Sequence, residues 1–274
     1  MSLPPITPAM AFVFALILLA LVLFATELVP VDVTATIANL SSLRIGKANN
    51  TGEINLKNVA AIEGGVTVHA GGFDLSNVAF LGSNADDVTV NTSGLTGAGE
   101  IFVDTGTLTI NQSSASSYGG MIRGGGQLVL DGSSTLTLTG KNVYTGNTTI
   151  QSGTSLVVGG DGALGWSSGS TNYASNIIIN GNSFSHSSST EQLISGNISG
   201  SGDLVKAGPG DLILTGGLTH AGTTTVDSGM LVIRNNEPST ANNTIEGAGS
   251  LTIEPASTSF SSAFDFSHWT FAST

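Results

Sequence analysis

The chain matches itself at a spacing of 76 residues, and that spacing narrows the folds open to it. Leu136-Thr-Leu-Thr-Gly140 aligns with Leu212-Ile-Leu-Thr-Gly216, and Gly146-Asn-Thr-Thr-Ile150 with Gly222-Thr-Thr-Thr-Val226. The stretch after Gly153 aligns more loosely with the one after Gly229, and no gap is needed between Gly140 and Gly153. Each copy reads as a strand, a glycine turn, a Thr-rich strand, a Ser-Gly turn and a strand. That order describes one wrap of a solenoid, with glycines where a corner demands unusual backbone angles.

The rest of the chain from Leu40 onward has the same texture. Leu128/Leu130, Leu136/Leu138, Leu156/Val158, Leu212/Leu214 and Leu231/Ile233 are i,i+2 pairs flanked by Gly, Asn, Asp and Ser, as half-buried strands require. No helical period competes with them. Strands this short make no core alone, but stacked coil on coil at about 4.8 Å they bury one continuous interior.

Composition agrees with an exported repetitive β-protein. Charged residues are 9% of the chain and Gly contributes 37 residues, so solubility rests on Ser, Thr, Asn and turns rather than on Lys and Glu. The net charge of −12 repels phosphate backbones and argues against nucleic-acid binding. Without Cys, neither disulfides nor thiolate metal sites are available.

The repeated residues resemble the passenger-associated transport repeat of bacterial autotransporters. The second copy is the fuller one: Gly200-Ser-Gly202, Leu204, Lys206, Gly208, Gly210, Leu212, Leu214, Gly216, Gly222, Thr224, Val226, Gly229 and Leu231 follow the family order, with His220 where an aromatic is expected. The first copy has that aromatic, Tyr144, but lacks the Lys-x-Gly approach. Leu43-Arg-Ile-Gly-Lys47 and Ser250-Leu-Thr-Ile253 also resemble filamentous-haemagglutinin-like repeats. The resemblance implies a non-enzymatic, extracellular or bacterial cell-surface adhesin, with host proteins or glycans as partners. It also implies a β-barrel translocator, which this chain, resembling one excised unit, does not contain.

The N-terminal segment is of another kind. Ala9 to Ala25 is an uncharged apolar run at the lower edge of what spans a bilayer as a helix, which predicts membrane contact through residues 9–25. Met1 to Pro8 carries no Lys or Arg, so a cleaved secretory signal fits less well, and basic residues first appear after the run, at Arg44, Lys47 and Lys57. Thr7-Pro-Ala-Met10 leading into Leu21 to Thr34 is similar to the first helix of divalent-anion/sodium symporters. That resemblance raises two further readings: a membrane-transporter fragment, or a mosaic of two unrelated pieces.

A β-helical carbohydrate-active enzyme is the remaining alternative. The adjacent pair Asp86-Asp87 points to opposite faces of a strand-like stretch and suits a solvated turn. His69, His186, His220 and His268 have no metal-site spacing and are expected to be exposed or at rung edges, with a structural role for His220 at the aromatic position of the repeat. Gly124-Gly-Gly126 and Gly159-Gly-Asp-Gly162 do not complete a calcium nonapeptide. No catalytic residue, cofactor site or metal site is expected. The seven basic residues are expected to be scattered, and Tyr118, Tyr144 and Trp166 to fill coil corners singly.

The expectation is therefore an all-β, right-handed parallel β-helix over residues 35–274, of about eight to ten coils with about 20 to 25 residues each, preceded by one apolar transmembrane-like helix within residues 1–34. Related copies lie near residues 126–159 and 202–234. Leu136, Leu138, Gly140, Gly146, Gly153, Leu212, Leu214, Gly216, Gly222 and Gly229 are its structural repeat positions. Phe264, Phe266 and Trp269, in an aromatic-rich C-terminal stretch, are the candidate ligand contacts, with capping of the solenoid as their competing role.

Overall fold

The computed structural model describes residues 42–45, 54–57, 65–70, 73–77, 81–83, 87–235, 243–257 and 269–271. The apolar run 9–25, the rest of residues 1–34, and Phe264 and Phe266 lie outside these described residues. Within them the secondary structure is all β, every strand-to-strand ladder is parallel, and no helix is long and apolar enough to cross a membrane.

The chain coils past three faces in turn. In one coil Ile177–Ile179, Ser183–Ser188 and Gln192–Ile194 belong to three different sheets, and in the next coil Ile198–Gly200, Asp203–Lys206 and Leu212–Leu214 extend the same three in the same order. The first and second faces each carry a sheet of eight strands, giving a solenoid of about eight turns. The third face is built from Leu81–Ser83, Glu100–Val103 and Met121–Arg123, and resumes from Asn172–Tyr173 to Ser250–Glu254. Between those two sheets Asn142 spans the gap. Its amide donates to Ala163 O at 2.9 Å, and its side-chain Oδ1 accepts from the amide of Ile122 at 3.0 Å.

Stacking puts like on like. Val88, Leu108, Leu128, Thr148, Ile177 and Ile198 form one interior column on the first face, and Leu136, Leu156, Phe184, Leu204 and Thr224 one on the second. All of these side chains are buried. The five i,i+2 pairs read from the sequence are buried as well, because alternate residues of a strand face opposite ways. Coil length agrees with expectation: Val88 to Leu108, Leu108 to Leu128 and Leu128 to Thr148 are steps of 20 residues. One coil departs from it, since Thr148 to Ile177 is a step of 29.

Corners are held by side chains that repeat with the coil. Asn147 Oδ1 accepts the amide of Asn176 at 3.0 Å, Asn176 Oδ1 accepts that of Asn197 at 3.0 Å, and Asn197 Oδ1 accepts that of Gly217 at 2.8 Å. This asparagine ladder satisfies backbone donors that the corner would otherwise leave without a partner.

Glycine enters at corners where neighbouring coils nearly touch. A Cβ on Gly140 would run into the carbonyl of Gly120, and one on Gly216 into the carbonyl of Gly196. At Gly119 the nearest atoms to an added Cβ are Thr139 Oγ1 at 3.4 Å and Gly97 O at 3.5 Å, an ordinary contact. Gly140→Ala and Gly216→Ala are each expected to cost about 1–3 kcal/mol through backbone displacement, whereas Gly119→Ala should stay within about 0.5 kcal/mol of the parent. Chemical denaturation of the three variants followed by circular dichroism checks the ranking.

Candidate functional site

The two repeat copies are each one wrap. Leu136 pairs with Leu156 on the second face, and Leu212 pairs with Leu231 on the third. The copies therefore start on different faces. Gly146 leads into Thr148–Ile150 on the first face, while Gly222 leads into Thr224–Val226 on the second. The spacing of 76 residues corresponds to three coils plus one face, because the 136–204 stretch completes three turns on the second face and Leu212 lies one strand further on.

Local chemistry is preserved through that rotation. The Tyr144 hydroxyl lies 2.6 Å from Thr148 Oγ1, and His220 Nε2 lies 3.0 Å from Thr224 Oγ1. In both copies a ring four residues before a buried threonine shares a hydrogen bond with it. His220 thus stands in for the aromatic as a ring of similar reach. Thr148 Oγ1 is also 2.8 Å from the Tyr173 hydroxyl, and the Tyr144 and Tyr173 rings meet edge to face with centroids 5.6 Å apart. Tyr144 is therefore part of a cluster rather than a solitary corner filler. The glycines that end each wrap, Gly153 and Gly229, have φ of +87° and +70°, a conformation that side-chain-bearing residues rarely adopt.

Two histidines differ from expectation. His186 and His220 are fully buried rather than exposed or at rung edges, because each occupies an inward position of the strand-and-corner alternation. His69 is half-buried, and His268 lies outside the described residues. His186 pairs in register with Lys206, which is also wholly enclosed and whose ammonium donates to Gly208 O and, at 3.0 Å, to Ser228 O of the following coil. A Cβ on Gly229 would meet the Gly208 carbonyl as well as Lys206 Nζ, so this corner, where φ is +70°, is closed to larger residues. Burial lowers the Lys206 pKa, opposed by the nearby Asp211 charge.

Among the described residues, one region of the outer surface brings cations and aromatic rings together. On the third face Met121 pairs with Glu100 and Arg123 with Phe102. Arg123 forms an ion pair with Glu100, and its guanidinium lies 4.3 Å from the centre of the Phe102 ring. One coil further, the Lys141 ammonium lies 3.8 Å from the centre of the Trp166 ring. Arg123 and Lys141 thus share a face in neighbouring coils, while Lys206 is interior and Arg234 pairs with Glu254. Trp166 opens the segment that lengthens the 29-residue step, and no periodicity in the sequence signalled its place beside Lys141. Of the proposed ligand contacts, Trp269 lies in strand Trp269–Phe271, paired with Asn243–Glu246 on the second face. Among the described residues no three His, Asp or Glu side chains converge in a metal-binding arrangement, and Asp87 is exposed and accepts the Thr107 amide at 2.7 Å.

Comparison with known proteins bears out the repeats read from the sequence. Residues 128–154 and 204–233 match the passenger-associated-transport-repeat family. Among curated proteins, the Adhesin BmaC autotransporter of Brucella suis biovar 1 (strain 1330) is 31% identical over 172 residues, which cover 53% of this chain and 5% of that protein. The chain thus spans about one-twentieth of its relative's length. No solved structure matches.

The buried rings make stability sensitive to acid. Burial holds both His186 and His220 at a pKa of about 4, with Lys206 adding to the effect at His186. Unfolded histidine titrates at about 6.5, so below that pH the unfolded chain takes up protons first. The stability these rings allow is complete above about pH 6.5 and is lost progressively as pH falls towards 4, by at most about 3 kcal/mol per ring. Melting temperature should fall between pH 7 and 5, and the His186→Leu, His220→Tyr double variant should show a flatter profile over that window.

Proposed function

We propose that residues 35–274 form part of the passenger of a cell-surface autotransporter adhesin, an attachment rod that acts by binding and carries out no reaction. The observation that supports this most directly is the pair of passenger-type repeats at 128–154 and 204–233, each containing a wrap of one continuous parallel solenoid. The likeness to an adhesin autotransporter points the same way. Physically, a rod of stacked coils holds its side chains at fixed spacing, so contacts that are weak singly add up along its length. The winding is right-handed, as parallel crossover connections almost always are.

Partners follow from this reading. A β-barrel translocator would carry the passenger across the outer membrane, and coils folding outside would oppose its return. Host surface proteins or glycans would be the targets. Residues 1–34 would form a separate membrane or leader segment, since their apolar run shares nothing with the coil pattern.

The test is binding of the purified 274-residue chain, fluorescently labelled, to cultured epithelial cells and to immobilised matrix proteins and glycans, alongside an assay for polysaccharide cleavage. Saturable binding without cleavage is the expected result. Absence of binding across cells and panel, or turnover of any polysaccharide, would overturn the proposal.

A further inference from the structure

Resting on the adhesive reading above, we infer that the third-face stripe Phe102, Met121, Arg123, Lys141 and Trp166 is a binding site for a short acidic oligosaccharide bearing ring carboxylates. The stripe runs across four successive coils. Phe102 and Arg123 are register partners, Val143 of the next coil donates its amide to Ile122 O at 2.8 Å, and Trp166 beyond it donates its amide to Asn142 O at 2.9 Å. At about 4.8 Å per coil the stripe is about 14 Å long.

Its chemistry contrasts with its surroundings. The chain carries −12 net charge and seven basic residues. Lys206 is enclosed, and Arg234 pairs with Glu254 at 2.8 Å. Lys141 is exposed and, among the described residues, has no carboxylate partner, while Glu100 on the same stripe is taken up by Arg123. The Lys141 ammonium is therefore the group on this stripe that a carboxylate would pair with, while the molecule as a whole carries net negative charge. Met121 is the exposed large hydrophobic residue of the described surface, at 37%. Aromatic rings beside cations suit a ligand with an apolar ring face and a charged edge, which describes a uronate or similar acidic sugar.

The site is also held in shape. The lengthened coil is anchored where it leaves the rod: Gln192, fully buried, accepts the Leu164 amide at 2.7 Å and donates to Leu164 O at 3.1 Å and to Thr171 O. Beyond that anchor Ser167 and Ser170 exchange backbone hydrogen bonds of 2.9 and 2.7 Å, closing a tight turn through Ser168, whose φ is +44°. Trp166 is therefore fixed before any ligand arrives, which reduces the ordering cost of binding. A stripe one residue or two wide offers far less than the roughly 800 Å² per partner of a stable protein interface, so a chain-like small ligand fits it better than a protein surface.

The experiment is titration of the full chain with hyaluronan oligosaccharides, which carry a uronate on alternate sugars, and with neutral chitin oligosaccharides of the same length. Trp269→Phe leaves Trp166 as the single indole, and its fluorescence reports occupancy. The expected result is saturable change with hyaluronan oligomers that weakens with added salt, with none for the neutral oligomers. Lys141→Gln and Trp166→Ala should each weaken hyaluronan binding about tenfold by calorimetry, with unchanged circular dichroism, while Asn111→Ala on the first face should bind as the parent does. If neither hyaluronan nor chitin oligomers bind, or if both variants bind like the parent, this assignment falls. The adhesive reading stands even then if the parent chain binds cells and panel without cleaving polysaccharide, and falls on its own test if that binding is missing.

Discussion

Parallel, in-register stacking of coils is the constraint on which everything else in this molecule depends. Each backbone amide and carbonyl of a rung finds its partner in the coil above or below, so a side chain is judged by its neighbours one coil away rather than by its sequence neighbours. The consequence is plain in the interior columns, where Val88, Leu108 and Leu128 lie over one another at steps of 20 residues. It is equally plain at the corners, where Gly140 and Gly216 lie so close to carbonyls of the preceding coil that no Cβ fits.

The same constraint explains the unusual interior of the second face. A position that faces inward in one coil faces inward in all, so Leu138, Val158, His186, Lys206 and Val226 share one column despite their different chemistry. Polar members survive there because the corners supply acceptors: Lys206 reaches Gly208 O and Ser228 O, and His186 Nε2 lies 3.1 Å from Thr190 O. The Nδ1 atoms of His186 and His220 have no hydrogen-bond partner, which is consistent with rings kept neutral by enclosure. Thr148, shared by two tyrosines, performs the corresponding task on the first face.

Much of this was legible in the sequence, and the limits of that legibility have physical causes. The i,i+2 leucines and the recurrent glycines carry the solenoid directly, since a period of two and a corner every few residues leave few other structures available. The family resemblance of the Leu212 to Leu231 stretch was legible for the same reason. Burial of His186 and His220 was not, because a histidine in an alternating pattern reads the same on either side of a strand. The clustering of Phe102, Arg123, Lys141 and Trp166 was also hidden, since it depends on which residues lie one coil apart, and the 29-residue step breaks the regular spacing just where Trp166 enters. The aromatic stretch containing Phe264 and Phe266 drew attention by density alone, and density does not specify what a side chain touches.

The rotation of the second repeat copy by one face carries a geometric consequence of its own. A unit of three coils plus one face advances like a screw with three steps to the full circle. Copies continued at that spacing would return to the same azimuth after three units, or ten coils, which is about 48 Å along the axis at about 4.8 Å per coil. Equivalent outward residues of neighbouring copies would then point to different sides of the axis, so a flat target would meet every third copy, while a target that winds around the rod would meet each in turn.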